Sequence, residues 1–195
     1  AIGVFQTQEE IDSYISPATG KPIQPNAAPG DTKFEDLNGD GVISDDNEDR
    51  TMIGKPNPDW MVGLTVAADW NGFDLSAFFQ GSFGADVFDA LRRYELAAVN
   101  YTSDALERWT GPGTSNSMPR IVLGDTPKNF RPSTLLVHDA SFLRLRNLQV
   151  GYTLPAQLTR KAYIQRLRFY ASFDNLLTIT GYKGMDPEIG STMGI

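Results

Sequence analysis

The feature that most constrains this chain is a strict two-residue alternation on both sides of an Asn-Gly pair. Val62, Leu64, Val66, Ala68 and Trp70 share one parity, and Gly63, Thr65, Ala67 and Asp69 the other. After Asn71-Gly72, Phe73, Leu75, Ala77 and Phe79 alternate with Asp74, Ser76, Phe78 and Gln80. Two is the strand period, and Asn-Gly tolerates the positive φ that both central residues of a tight hairpin require. A hairpin is therefore expected over 58–82. A second is expected over 141–178, where Leu143 and Leu145 share one parity while Leu148, Val150, Tyr152 and Leu154 share the other. That switch predicts a β-bulge near Asn147. Pro155 ends this strand, and beyond it Leu167, Phe169, Ala171 and Phe173 alternate with Arg168, Tyr170, Ser172 and Asp174. Strands are expected near 59–70, 73–82, 141–154 and 164–178.

Elsewhere the alternation is lost. Pro17, Gly20, Pro22, Pro25, Pro29 and Gly30 forbid regular structure through much of 1–57, apart from a short helix near Thr7. Within 83–140, Val87, Leu91, Tyr94 and Ala98 predict an amphipathic helix over 86–99. A shorter one is expected from a Ser103 cap through Leu106 and Trp109, and 179–195 reads as loop. Short turns thus fall at one end of both hairpins and long segments at the other. A transmembrane β-barrel has this asymmetry, with short periplasmic turns and long extracellular loops. A soluble antiparallel sandwich with one solvated face fits the periodicity as well.

Composition removes other classes. The 195 residues are 41% hydrophobic, and no run approaches the roughly 18 apolar residues of a membrane-spanning helix. Without cysteine there are no disulfides, thiol catalysis or Cys-based zinc sites. A net charge of -7 argues against a nucleic-acid partner. The single histidine, His138, stands next to Asp139, and adjacent residues seldom point together, so an enzyme is not expected. Neither end reads as a natural terminus, and the chain is expected to be a piece of something longer.

The segment Asp36-Leu37-Asn38-Gly39-Asp40-Gly41-Val42-Ile43-Ser44 fits the first nine positions of an EF-hand-type calcium loop. Asp36, Asn38 and Asp40 would supply side-chain oxygens, Val42 its carbonyl, and Gly41 the sharp turn. The twelfth position is Asn47 in place of the bidentate Glu, so closure falls to carboxylates among Asp45–Asp49, with Asp46 and Asp49 as the candidates. A solvated Asp/Asn/Gly turn without metal is the other reading. Prolines on both sides exclude flanking helices.

Several motifs resemble the SusC/RagA family of TonB-dependent outer-membrane transporters. They are Pro29-Gly30-Asp31, the Asp36–Ile43 loop, Asp49-Arg50-Thr51, Ile53-Gly54-Lys55-Pro56-Asn57-Pro58 and Gly72–Gly81. Asp139–Leu148, Gly151-Tyr152-Thr153-Leu154-Pro155, Asn175–Thr178 and Tyr182–Glu188 continue the series in the family's order. The resemblance implies an all-β fold: antiparallel strands from the C-terminal part of a barrel of about 22 strands, with long extracellular loops and a short loop helix. It further implies import of a large nutrient, an oligosaccharide or a peptide, across a Bacteroidetes-type outer membrane. TonB, acting through a region outside this chain, and a surface-exposed SusD-like lipoprotein would be partners, and membrane lipid would meet one strand face. Asp49-Arg50 stands two residues further from Asp36 than is usual in the family, and the usual final aromatic-ended strand is missing. On this reading Leu167, Phe169, Ala171 and Phe173 face lipid, and Arg168, Tyr170, Ser172 and Asp174 the lumen. Trp60, Trp70 and Tyr152 would stand in an aromatic girdle. The 86–99 helix would line a vestibule, touch the lipoprotein, or only pack its loop; Trp109 and Tyr101 would stack on sugars or pack. A secreted calcium-stabilised β-sandwich that binds glycans is the alternative.

Overall fold

Two pairs of long antiparallel strands carry one half of this protein and irregular chain carries the other. The computed structural model describes residues 1–44, 48–89 and 100–188. By contacts the chain divides into two units, Ala1–Gly54 with Phe88–His138, and Lys55–Val87 with Asp139–Ile195.

In the first unit β1 (Gly3–Val4) pairs with β2 (Thr32–Lys33), and α1 spans Gln8–Ser13. The helix begins where a capping pattern places it: Thr7 Oγ1 accepts from the Glu10 N–H, and Glu10 Oε2 accepts from the Gln6 N–H at 2.8 Å. Val4, Phe5, Ile11, Ile23, Phe34, Ala105 and Leu136 are among the buried apolar residues of this unit. Among them run buried polar groups that substitute for regular secondary structure. Asp31, 2% exposed, takes the Arg120 guanidinium at 2.6 and 3.1 Å, the Asn129 amide at 3.1 Å and the Ala28 N–H at 2.8 Å. Asn129 in turn accepts from the Thr32 N–H. One carboxylate thereby ties the first sequence segment of the unit to the second. Trp109 packs over Gly30, where any Cβ would overlap the indole, and its N–H donates to Gln6 Oε1. The two long segments that read as separate loops are one packed body.

The second unit is a four-stranded sheet in the order β3 (Trp60–Trp70), β4 (Phe73–Phe83), β7 (Phe142–Thr153), β8 (Arg168–Thr180). All three ladders are antiparallel. These strands lie within a few residues of the expected bounds. Asn71 and Gly72 take φ 49 and 86, so both central residues of the β3–β4 turn are left-handed, as a type I′ turn requires. Between β4 and β7 stand two short strands, β5 (Asp86–Phe88) and β6 (Val137–Asp139), which pair with each other. After β7, α2 (Ala156–Thr159) and a 3₁₀ turn, Arg160–Ala162, lead to β8.

Two helical expectations are revised. Asp86–Phe88 is strand because its backbone pairs with Val137–Asp139; the Asp86 N–H also donates to the Lys55 carbonyl, and the Asp86 side chain accepts from the Lys55 N–H. Residues 90–99 of the expected helix lie outside the described residues. The helix at 103 is a 3₁₀ segment, Ser103–Glu107; Thr102 precedes it without a side-chain cap, and Trp109 lies beyond it.

A Cβ at Gly72 would stand 2.8 Å from the Thr153 carbonyl oxygen, and φ 86 strains any L residue. Gly72→Ala in the intact protein is expected to cost about 1–3 kcal/mol, read as a lower urea midpoint for the folded barrel. Asn71→Gly should leave the midpoint nearly unchanged. An unmoved midpoint in Gly72→Ala would remove this turn as a determinant of the sheet.

Candidate functional site: a two-faced sheet and an acidic loop

Residues paired across a ladder point to the same face, so the register assigns each paired side chain of the sheet to one face. One face carries the rows Trp70–Phe73–Tyr152–Phe169, Ala68–Leu75–Val150–Ala171 and Val66–Ala77–Leu148–Phe173. It continues with Leu64–Phe79–Leu145–Leu177, Val62–Gly81–Leu143–Ile179 and the pair Trp60–Phe83. No polar side chain interrupts it. Much of this face is exposed, including Trp60 at 73%, Trp70 at 75%, Val62, Leu64, Phe169 and Phe173. The Phe73 and Tyr152 rings lie 4.4 Å apart between centroids.

Leu143 and Leu145 reach this face despite their parity because β7 is bulged at Arg146. Phe78 pairs with Asn147 and Phe79 with Leu145, which leaves Arg146 without a partner in β4. Towards β8 the ladder skips from Asn147–Asp174 to Leu145–Leu177, and Asn175 takes φ 52. The predicted bulge is present, one residue from where the parity switch placed it.

The opposite face is mostly polar, although Met61, Ala67, Phe78 and Phe142 also stand on it. Arg168 donates from Nε to Asp74 Oδ1 at 2.9 Å and from Nη2 to Gln149 Oε1 at 3.0 Å, and a second Nη2 bond reaches Asp74 Oδ2. Asp74 is on β4 and Arg168 on β8, so this bridge crosses over β7, and it crosses at Gly151. A Cβ there would stand 2.5 Å from both side chains. Further along, Asn147 donates to Ser172 and Asp174. At the other end of the strands Arg144, 6% exposed, donates to Thr178, Asp186 and Glu188. The bulged Arg146 donates to Gln80, Asn175 and the same Glu188. The segment after β8 is thereby fastened to the polar face. The Glu188 N–H and the Arg144 guanidinium hold the Asp186 carboxyl below the usual carboxylate range. This cluster was missed in the sequence, although Leu-Arg-Leu-Arg and Asp-Pro-Glu, its two halves, are both visible there.

The acidic loop is closed by its own backbone. Asp36 accepts from the Gly39 and Gly41 N–H groups, each at 2.8 Å; Asn38 Oδ1 accepts from Asp40, and Asp40 Oδ1 from Val42. Asp49 spans the loop, its two oxygens accepting from Leu37 at 3.0 Å and Ser44 at 2.8 Å. Burial pushes the Asp49 carboxyl up, but the Ser44 and Leu37 N–H groups outweigh it and hold the group below its ordinary range. Asp46 lies outside the described residues. The Asn38 amide nitrogen donates to Asp40 Oδ2 at 3.0 Å and lies 3.4 Å from Glu48 Oε2, a weak positive pole between two carboxylates. The donors are all oxygens, which suits a hard cation. Among the described residues, however, no three acidic or histidine side chains are grouped tightly enough to hold a metal ion. Of the two candidate stacking aromatics, Trp109 is taken up by Gly30 and Gln6, while Tyr101 is half exposed.

The Gly151 passage makes a direct test. In the intact protein Gly151→Ala should push the Arg168–Asp74 bridge aside at a cost below about 1 kcal/mol, since both side chains are flexible and partly solvated. Asp74→Asn should cost a similar amount, and the double variant no more than either alone, read as shifts in the thermal unfolding of the barrel. Additive shifts would show that the glycine serves something other than the bridge.

No family model matches the sequence. The TonB-dependent receptor P3 of Formosa agariphila is 35% identical over 192 residues, covering 96% of this chain and 19% of that protein. The TonB-dependent receptor SusC of Bacteroides thetaiotaomicron is 30% identical over 168 residues, covering 85% of this chain and 16% of that protein. The chain thus spans less than a fifth of the length of these curated relatives. The solved structure of the RagAB peptide importer in its closed-closed state superposes with a TM-score of 0.61 at 33% identity, over 75% of this chain and 16% of that one. Its open-open state gives 0.60 at 31%, with the same coverage. With the fold and the motifs in agreement, the chain belongs to the SusC/RagA type of TonB-dependent transporters.

Proposed function

We propose that this chain is part of an outer-membrane transporter that imports a large nutrient, an oligosaccharide or a peptide. On this reading it is driven by TonB and works with a surface lipoprotein. The observation that carries the reading is the separation of the sheet into an exposed face that is apolar in every row and an opposite face that is mostly polar. A soluble sandwich would bury the apolar rows. Lipid requires them exposed, and a lumen requires the other face polar. The aromatic rows fit the same picture. Ten residue steps separate Trp60 from Trp70, about 34 Å of strand, which at a tilt of about 45° is about 24 Å, the height of an outer-membrane apolar band. The likeness to TonB-dependent receptors supports the TonB-driven part of the reading, and RagAB, to which the sheet is similar, is a peptide importer. Deleting the gene for the intact protein should abolish growth on one polymer while growth on its monomers continues. A deletion strain with normal growth and uptake on every glycan and peptide tested would end this reading.

The acidic loop is proposed to take a structural calcium ion through Asp36, Asn38, Asp40 and the Val42 carbonyl, with Asp46 and Asp49 as candidates for closure. The ion would neutralise a run of carboxylates and stiffen the loop. Metal analysis of the intact protein supplied with millimolar calcium should find the ion, and Asp36→Ala with Asp40→Ala should remove it while the barrel stays folded. A protein without calcium under those conditions would refute the site.

A further inference from the structure

Between Asp139 and Asp174 the sequence holds Arg144, Arg146, Arg160, Lys161, Arg166 and Arg168 and not one acid, in a chain of net charge -7. Three of these cations are neutralised on the polar face: Arg144 by Asp186 and Glu188, Arg146 by Glu188, and Arg168 by Asp74. The other three stand in the turn between β7 and β8. Arg160, Lys161 and Arg166 are exposed there, and among the described residues none of them has an ion-pair partner. Beside them Leu158 and Ile164 are exposed too, and Tyr163 is 99% exposed with φ 57. The turn leaves the sheet at its Asn71–Gly72 end: the Thr153 N–H donates to the Gly72 carbonyl at 2.7 Å, and the Leu154 N–H to the Leu167 carbonyl at 2.9 Å. The aromatic row Trp70–Phe73–Tyr152–Phe169 runs across the same end.

A purely solvated turn accounts for the cations and leaves the exposed leucine, isoleucine and tyrosine unexplained. A protein interior would hold the apolar groups and leave the cations unpaired. A membrane interface satisfies both, because phosphate groups lie there next to acyl chains, and amphipathic side chains divide themselves between the two. We propose that the turn over 155–166 is a binding surface for anionic phospholipid headgroups. The proposal rests on the outer-membrane reading above and adds to it a lipid class and the residues that select it.

The probe is the intact protein in micelles containing equal phosphatidylglycerol and phosphatidylethanolamine, with retained lipid counted by native mass spectrometry. A cation at an anionic surface contributes about fivefold in affinity, so wild type should retain phosphatidylglycerol preferentially. Arg160→Gln with Lys161→Gln and Arg166→Gln should lower that preference tenfold or more, and Arg160→Lys with Arg166→Lys should keep it. Lys21→Gln, which removes an exposed lysine of the other unit, should change nothing. A folded triple-Gln variant with wild-type preference would overturn the proposal, as would an equal loss in Lys21→Gln or retention of an acidic polypeptide in place of lipid. A wild-type protein that folds in detergent but retains both lipids equally defeats this proposal alone. One recovered in soluble form without detergent defeats the transporter reading with it.

Discussion

The sheet depends on one residue out of step. Without the bulge at Arg146, Leu143 and Leu145 would join the polar face, and Arg144 would project from the apolar one. An arginine on a lipid-facing surface is costly, and two leucines in an aqueous lumen forfeit their transfer free energy. The bulge removes both problems in one step. It also gives Arg146 a place of its own, from which it reaches Gln80, Asn175 and Glu188. The defect in the ladder and the charge cluster over it are thus one feature, and the segment after β8 is held by side chains that the defect positions.

The other unit solves a different problem. Among its described residues the strands are short and the helices are one short α-helix and a few 3₁₀ turns, so it has few ladders in which to satisfy its backbone, and an irregular interior must still pair its polar groups. Asp31 and Asn129 do much of that work. They accept from the backbone of Ala28 and Thr32 and, with Arg120, bridge segments almost 100 residues apart in sequence. Buried polar residues of this kind stabilise only when complete, which makes such a unit intolerant of single losses.

Much of the sheet was legible because its information is local. Period two, an Asn-Gly turn and a parity switch need only neighbours along the chain, and each led to the right element. What failed was non-local. The strand at Asp86–Phe88 reads as the start of a helix because its hydrophobic spacing is helical, yet its partner strand, Val137–Asp139, lies about 50 residues further along the chain. Trp109 reads equally as a ligand platform or as packing, and only its placement over Gly30 separates the two. The Arg144–Arg146 and Asp186–Glu188 cluster has both halves in plain view, but nothing in a linear string says that the chain turns back after β8. The acidic loop was legible as an oxygen-rich turn. Asp49 was a candidate there for its closure, but the backbone hydrogen bonds through which it spans the loop are ones that no spacing rule for side-chain ligands anticipates.

Alternating polarity determines strand register only in steps of two. A slip of one residue exchanges the faces and is heavily penalised, whereas a slip of two restores the same pattern and loses little. The Asp74–Gly151–Arg168 crossing removes that ambiguity. The opening in β7 at that height is the missing side chain of Gly151, and the ion pair that passes over it joins strands that are not neighbours in the sheet. Sliding β4 by two residues would set Asp74 opposite Gln149 or Thr153 instead of the gap. The glycine and its ion pair therefore act as an alignment key: polarity selects the face, and the key selects the rung.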